Sequence, residues 1–147
     1  MAYDFQVTVD CADPHVLADW WARALGWTFE ASDEAFIRSM VEQGFAAESE
    51  TTTYQGVLVW ATGQAIRHPE PLPSGRPRRV LFTKVPEAKA AKNRVHLDLW
   101  VGPDDVDEVV ARLVSEGALE LYRERQGPHS WVTMADPEDN EFCVSAG

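Results

Sequence analysis

The chain has little of what disulfide-stabilised, membrane-spanning or exported proteins need. Its 147 residues include two cysteines, Cys11 and Cys143, which are too few for a disulfide framework. No apolar run approaches the about 20 residues of a membrane-spanning helix. The start, MAYDFQVTVD, has no basic segment followed by an apolar one, so no signal peptide is expected. These absences predict a cytoplasmic protein that has no membrane partner and keeps its thiols reduced.

Basic residues are scarce as well. Lysine and arginine number 13 against 24 acids, which gives a formal net charge of −11. Such a surface repels phosphate backbones and anionic lipids, so nucleic-acid binding is not expected. Seven of the basic residues fall within residues 76–94, beside a single acid, Glu87. That strip has two interpretations: a solvated edge strand guarded by basic side chains, or a surface that attracts an anion.

What the chain does have is a set of segments that alternate between apolar and polar residues. In residues 94–101, valine and leucine alternate with Arg94, His96, Asp98 and Trp100. Residues 6–11, which place Gln6 and Thr8 on one face, and residues 141–146 show the same period of two. A strand with one apolar and one polar face lies half in the core. The pattern predicts curved sheets with helices outside and polar faces that line a cavity.

Helix signals separate these strands. Asp13 and Pro14 predict the start of a helix over residues 14–25, and Gly26 predicts its end. A second helix is predicted from the Gly102-Pro103-Asp104-Asp105 segment to Gly117, and a shorter one over residues 34–44. Further strands are predicted at 27–30, 54–62, 78–85, 118–124 and 130–135. Residues 46–53 and 63–77 are interpreted as loops.

The resulting element order is βαβββ, twice. The fold class is therefore α+β, with two paired βαβββ modules that form curved mixed sheets around a cavity. We expect one domain over residues 1–147, with module one at about 1–86 and module two at about 94–147. Each module alone would leave its helix and one sheet face incompletely buried, so the two are expected to share a core.

His96 is the candidate catalytic residue. Its imidazole could bind a metal, donate a hydrogen bond or act as a base, and the alternative is a structural histidine hydrogen-bonded between Asp98 and a neighbouring strand. Asp98, two residues further along the same strand face, should lie about 7 Å away and so pair with Arg94 instead. Cys143 could form a thiolate–imidazole pair with His96, which requires a lowered thiol pKa. Asp136 and Asn140 are interpreted as turn formers.

Aromatic side chains are candidates for the rim of the cavity. His129 and Trp131 precede the last predicted turn, and Trp60 and Trp100 lie on predicted strands. Aromatic walls suit planar organic ligands, whereas packing in the core is the equal alternative.

Three stretches resemble a known family. They are VTVDCADPHVLADWWARALGW near the start, VLFTKVPEAKAAKNRVHLDLWV from Val80, and WVTMADPEDNEFCV near the end. They are similar to the glyoxalase-like domains of the vicinal oxygen chelate superfamily, which includes glyoxalase I, bleomycin-resistance proteins and extradiol dioxygenases. The resemblance implies paired βαβββ modules around a cup-shaped cavity, often with a divalent metal and often in a homodimer.

The resemblance also implies positions for metal ligands. They fall on Gln6, Thr83, His96 and Cys143, of which Gln6, His96 and Cys143 are the candidate metal ligands. Cys143 stands where a carboxylate is usual, so the set suits a hard metal such as Mg²⁺ poorly. Zn, Ni, Mn and Fe are the candidate ions, and a protein without metal is the alternative. The expected cavity residues are Gln6, Thr8, Trp60, Thr83, His96, Asp98, Trp100, His129, Trp131 and Cys143.

Three functions remain open from the sequence. One is an enzyme of the glyoxalase-like type, a lyase, isomerase or dioxygenase, that acts on a small carbonyl or phenolic compound. The second is a metal-free protein that sequesters an antibiotic, as bleomycin-resistance relatives do. The third is an accessory module without chemistry. The first two share one prediction, a small organic ligand in a cavity.

Overall fold

Two units of the chain, Met1–Ala88 and Lys89–Gly147, each contain a four-stranded mixed sheet with a helix against one face. The computed structural model describes residues 1–102 and 105–147. Pro103 and Asp104, where the helix of the second module was predicted to begin, lie outside the described residues.

The first unit places its sheet strands in the order β1-β6-β5-β2. Strand β1 runs parallel to β6, and the other neighbours are antiparallel. A separate hairpin, β3–β4, and helix α2 are inserted between β2 and β5. The elements are β1 (Val7–Cys11), α1 (Pro14–Leu25), β2 (Thr28–Phe29), α2 (Glu34–Glu42), β3 (Thr51–Tyr54), β4 (Val57–Trp60), β5 (Gly63–Arg67) and β6 (Arg79–Lys84).

Helix α1 begins and ends where the sequence predicts. The Asp13 carboxylate accepts a hydrogen bond from the Val16 N–H at 3.2 Å, which satisfies a donor of the first turn. Gly26 ends the helix with a left-handed φ of 67°, a conformation that glycine adopts without strain. The apolar stripe, which includes the buried Trp20 and Trp21, packs against β5 and β6. Burial of this stripe stabilises the unit through the hydrophobic effect.

Three predictions for the first unit are wrong. One is the loop over residues 46–53, because residues 51–53 belong to β3 and pair with β4. Residues 54–62 do not form one strand, because Gln55 and Gly56 have φ angles of 49° and 81° and reverse the chain between β3 and β4. Alternation predicts pleating, but it does not detect a two-residue turn inside the alternating run. Residues 63–67, interpreted as a loop, form β5 in the middle of the sheet, where Ala65 and Ile66 are buried. Helix α2 is confirmed, with Asp33 as its N-cap.

The second unit repeats the arrangement with the order β7-β10-β9-β8. Strand β7 is parallel to β10, and β9 is antiparallel to both of its neighbours. Helix α3 begins after Asp105, whose carboxylate accepts from the backbone of the first turn, and it buries Val110 and Leu113. The elements are β7 (Asp98–Trp100), α3 (Val106–Ser115), β8 (Leu119–Gln126), β9 (His129–Ala135) and β10 (Glu141–Ser145).

Strand β7 is shorter than predicted, and this shapes the site. The alternation over 94–101 predicts that Val95 is buried, but Val95 is 83% exposed while Leu99 is buried. The segment before Asp98 is held by a side chain, because the Asn93 N–H donates to the Glu141 carboxylate at 2.9 Å. Residues 94–97 therefore do not follow the pleat of a strand, and their side chains need not alternate.

The α+β prediction with helices outside mixed curved sheets is confirmed. In each unit the first strand of the sheet lies beside the last, and the helix after the first strand covers one face. Both cysteines are free thiols. Among the described residues, no helix has the length and apolar character that a membrane crossing requires.

Candidate functional site

The face of the second sheet away from α3 forms the floor of a cavity of about 510 Å³. Sites for small organic ligands usually measure about 300–1,000 Å³. Strands β8, β9 and β10, strand β7 and the segment before it all contribute side chains to the walls. Those side chains include Lys92, His96, Asp98, Tyr122, Glu124, His129, Ser130, Trp131, Thr133, Glu141, Cys143 and Ser145.

Strand register places the central side chains. Cys143 on β10 is opposite Asp98 on β7 and opposite Thr133 on β9. Directly opposed residues project from the same face of a sheet, so these three groups meet on the cavity side. Phe142 and Val144 project from the other face and are 1% and 0% exposed. The alternation in the last strand therefore separates core residues from cavity residues.

His96 and Asp98 form a hydrogen bond, the contact that the structural alternative for His96 requires. His96 Nδ1 lies 3.0 Å from Asp98 Oδ1, so the expected pairing of Asp98 with Arg94 is wrong. The 7 Å estimate assumed a regular strand, whereas the chain before Asp98 is irregular. A carboxylate only accepts, so Nδ1 is the donor and Nε2 of the neutral ring keeps its lone pair. Asp98 thus fixes the orientation of the His96 ring.

His96, Asp98 and Cys143 form the candidate metal centre. One ligand atom from each residue lies within 4.8 Å of the others. Among the described residues, these three form the one group of three or more His, Cys, Asp or Glu side chains close enough to share a metal ion. An imidazole, a carboxylate and a thiol are donors that Zn²⁺ accepts in four-coordinate sites. Of the predicted ligands, the structure brings His96 and Cys143 together and adds Asp98, which sequence reasoning missed. The His-x-Asp spacing was the available signal.

The thiol of Cys143 is not activated. Burial raises its pKa, a hydrogen-bonding contact with Thr133 partly opposes this, and the negative charge of Asp98 raises it further. The thiolate–imidazole pair with His96 requires the opposite shift, so that interpretation is wrong. At neutral pH Cys143 is a protonated thiol, and a bound metal ion would have to displace its proton.

The cavity wall on β8 and β9 is partly as predicted. His129 and Trp131 line the cavity, whereas Trp100 is 79% exposed and is not among the lining residues. Tyr122 and Glu124 also line it and were not predicted. Strand β8 is exposed throughout. Its sequence therefore does not alternate between buried and exposed residues, and the face that lines the cavity could not be inferred from it.

The remaining predicted cavity residues belong to the first unit. Gln6 precedes β1, and its side-chain oxygen accepts from Arg79 at 3.2 Å. Thr8 is exposed on β1, and Thr83 is half-buried on β6. Trp60 lines a separate cleft of about 350 Å³ within this unit, together with Arg79 and residues of α2.

An ion pair dominates the polar face of the first unit. Arg79 donates to both oxygens of Glu30 at 2.8 Å, and Arg67 donates to one of them at 3.0 Å. Burial raises the pKa of Glu30, but the hydrogen bonds and charges of the two arginines outweigh it and leave the pKa lowered. These charges already satisfy one another, so the group does not resemble the open cluster of the second unit.

Comparison with protein families gives one match. The family model described as a glyoxalase-like domain matches residues 6–145, which is nearly the whole chain. No curated protein matches the chain in sequence.

Comparison with solved structures gives several chains of the same fold. A mutant of the fosfomycin resistance protein FosX from Listeria monocytogenes, complexed with Mn(II) and dihydroxypropylphosphonic acid, has a TM-score of 0.62 and 11% identity, over 100% of this chain and 94% of that chain. A protein from Agrobacterium tumefaciens has a TM-score of 0.62 and 17% identity, over 99% and 98%. A glyoxalase/bleomycin resistance protein/dioxygenase family enzyme from Burkholderia phytofirmans has a TM-score of 0.56 and 11% identity, over 95% and 94%. Identities this low establish the fold alone.

Proposed function

Because the chain belongs to the glyoxalase-like domain family, we propose that its second unit binds a small organic molecule above His96, Asp98 and Cys143. The observation that supports this best is the convergence of these three side chains on a cavity of about 510 Å³. A few polar side chains beside an aromatic wall are the usual composition of a small-molecule site. The ligand would lie on the sheet face, with Trp131 at one side.

The same three residues fit a divalent metal ion, and zinc suits them best. Asp98 accepts from His96 through Oδ1 and also lies within hydrogen-bonding reach of the Cys143 thiol, and Nε2 of His96 has no partner among the described residues. The FosX structure from Listeria contains Mn(II), an ion that prefers oxygen donors. A thiol at Cys143 shifts this chain towards a softer ion. When bound, the ion would polarise an oxygen atom of the ligand as a Lewis acid.

With metal, the family assignment favours an enzyme of the lyase, isomerase or dioxygenase type. The role of the protein itself is then to hold and orient the ligand, with His96 fixed by Asp98. Without metal, the alternative is sequestration of an antibiotic-like molecule. The observation that favours the alternative is the raised pKa of Cys143, because a protonated thiol is a poor metal ligand.

Metal analysis tests the proposed metal centre, and ligand binding tests the proposed cavity. Protein purified without an affinity tag should contain about one zinc per chain if the cluster is a metal centre, and His96→Ala should lose it. His68→Ala, in the first unit, is the matched control and should retain the metal. Absence of zinc, nickel, manganese and iron from the wild type, before and after incubation with each ion, would refute the metal centre.

Ligand binding is tested by thermal shift against aldehyde–thiol adducts, catechols and antibiotics. A ligand at about 100 times its dissociation constant stabilises the folded state by about 2.7 kcal/mol. A compound that raises the midpoint of the wild type should have a smaller effect on His96→Ala. An equal shift in both proteins would place its binding site away from the proposed cavity.

We also propose that the protein is a homodimer, as the superfamily resemblance implies, and that it is cytoplasmic, which its two free thiols support. Light scattering of the untagged protein should give twice the monomer mass. A monomer mass at the highest soluble concentration would refute the dimer.

A further inference from the structure

Strand β8 divides its charges between two faces. Tyr122 and Glu124 line the cavity of the second unit, whereas the arginines that flank Glu124 do not. The register explains the difference, because residues two apart share a face and their neighbours project from the other. Arg123 forms ion pairs with Asp107 and Glu120 on that other face. The strand therefore presents an acid to the cavity and directs its bases away.

The carboxylate of Glu124 has no hydrogen bond or ion pair with the described residues. The other two acids of the cavity wall are engaged, since Asp98 accepts from His96 and Glu141 accepts from Lys89 and Asn93. Lys92 is the single lysine or arginine in the wall, and its ammonium group donates to the Asn93 carbonyl oxygen at 3.3 Å. With Lys89 counted as the partner of Glu141, three carboxylates and two ammonium groups meet there among the described residues, so the wall keeps a net negative charge.

Two aromatic residues neighbour the free carboxylate, one across the sheet and one along the strand. Glu124 is directly opposite Trp131 on β9, and Tyr122 is two residues along on β8, opposite Thr133. Directly opposed residues have Cβ atoms about 5 Å apart, and diagonal neighbours are about 7–8 Å apart. An ammonium group near Glu124 could thus lie within the about 6 Å of a ring centroid at which cation–π attraction acts.

From this arrangement we propose that the ligand of the second-unit cavity is an organic cation, an amine or quaternary ammonium compound with an apolar body. Its cationic group is bound by Glu124 between the rings of Tyr122 and Trp131, and its body lies over the sheet towards Cys143. The inference rests on the proposed function, because it assumes that this cavity is the binding site. It goes further in naming the charge of the ligand and the residue that selects it.

Three indole compounds of similar size and different charge test the proposal. They are tryptamine, which is a cation at neutral pH, tryptophol, which is neutral, and indole-3-acetate, which is an anion. Titration calorimetry on the full chain at low ionic strength should give the order of affinity tryptamine, tryptophol, indole-3-acetate. We expect about tenfold between the first two, the size of one exposed carboxylate contact plus one cation–π contact. The difference should shrink at high salt.

Substitutions of Glu124 identify the residue responsible. Glu124→Gln should reduce tryptamine to the affinity of tryptophol and leave tryptophol unchanged, and Glu124→Asp should retain the preference. Glu108→Gln, on the exposed side of α3, changes the net charge equally without touching the cavity and should leave all three affinities unchanged.

Two other sets of results would refute the cation proposal. If tryptophol or indole-3-acetate binds as tightly as tryptamine, or if Glu124→Gln keeps the preference, the cation proposal is refuted while the binding cavity stands. If none of the three compounds binds up to millimolar concentration, the cation proposal is refuted. In that case binding of an unrelated compound in the thermal-shift screen would still support the proposed function.

Discussion

Asp136 is expected to be the polar side chain on which the second unit depends most. It is 2% exposed and lies in the turn between β9 and β10. Its Oδ1 atom accepts from the backbone N–H groups of Glu138 at 2.8 Å and Asn140 at 3.0 Å. The amide group of Asn140 donates to both carboxylate oxygens, at 3.1 and 3.0 Å. The turn that sets the register of β10, and so the position of Cys143, is built around this one carboxylate.

The structure gives the size of the effect of Asp136→Ala. Three donor groups lose their acceptor, and each such bond contributes about 0.5–1.5 kcal/mol net of hydration. The donors are partly buried, so water replaces the carboxylate incompletely. We expect the free energy of unfolding to fall by about 3–4 kcal/mol, a large share of the about 5–15 kcal/mol of a typical domain.

Guanidinium unfolding monitored by circular dichroism measures this loss, and two variants act as controls. Asn140→Ala retains both backbone donors and should cost about 1–2 kcal/mol. Adding it to Asp136→Ala should cost little more, because the shared bonds are already lost. Asp139→Gly should be neutral or slightly stabilising, because Asp139 has a φ of 67°. A loss below about 1 kcal/mol for Asp136→Ala, or full additivity with Asn140→Ala, would show that the carboxylate does not organise the turn.

Three further outcomes are expected. Burial and the negative charge of Asp98 raise the pKa of the Cys143 thiol, so its alkylation by iodoacetamide at neutral pH should be slower than that of free cysteine. Asp98→Asn should accelerate the reaction. An unchanged rate would refute the effect of Asp98 on the thiol pKa. Glu30 has a lowered pKa in the folded state, so its contribution to stability should be full at neutral pH and lost as the pH falls through that pKa, and Glu30→Gln should flatten this part of the stability–pH curve. His15→Phe should increase hydrogen exchange in β4, since His15 Nε2 donates to the Trp60 carbonyl at 2.8 Å; unchanged exchange would contradict this role.

Much of the fold could be predicted because helix caps, turn residues and strand alternation assign the same elements that burial in the core stabilises. Asp13 and Gly26 mark the ends of α1 through capping chemistry that needs no tertiary context. In β10 the apolar residues of the alternating pattern, Phe142 and Val144, are also the buried ones, so the pattern assigns the core face correctly. The prediction that Asp136 and Asn140 form a turn is confirmed for the same reason, since the Asp136 carboxylate accepts from both the backbone N–H and the side-chain amide of Asn140.

The site could be predicted only in part, because it depends on departures from regular structure. His96 and Asp98 meet because the chain before β7 is irregular, and alternation assumes that it is not. Strand β8 is exposed throughout, so Glu124 gave no pattern that would assign it to a cavity. The interruption at Gln55 and Gly56 was invisible for a related reason, because left-handed residues other than glycine are rare.

The two units share a strand arrangement and differ in how the charges of their polar faces are paired. Both sheets place the first strand beside the last and leave one polar face. In the first unit the charges of that face satisfy each other, since Arg79 binds both oxygens of Glu30 and donates to Gln6. In the second unit Glu124 and Nε2 of His96 are left without partners among the described residues. Both side chains are exposed, so water or a ligand can meet these groups. The polar face of the second unit therefore differs from that of the first in having groups without protein partners, a property that periodicity in sequence does not encode.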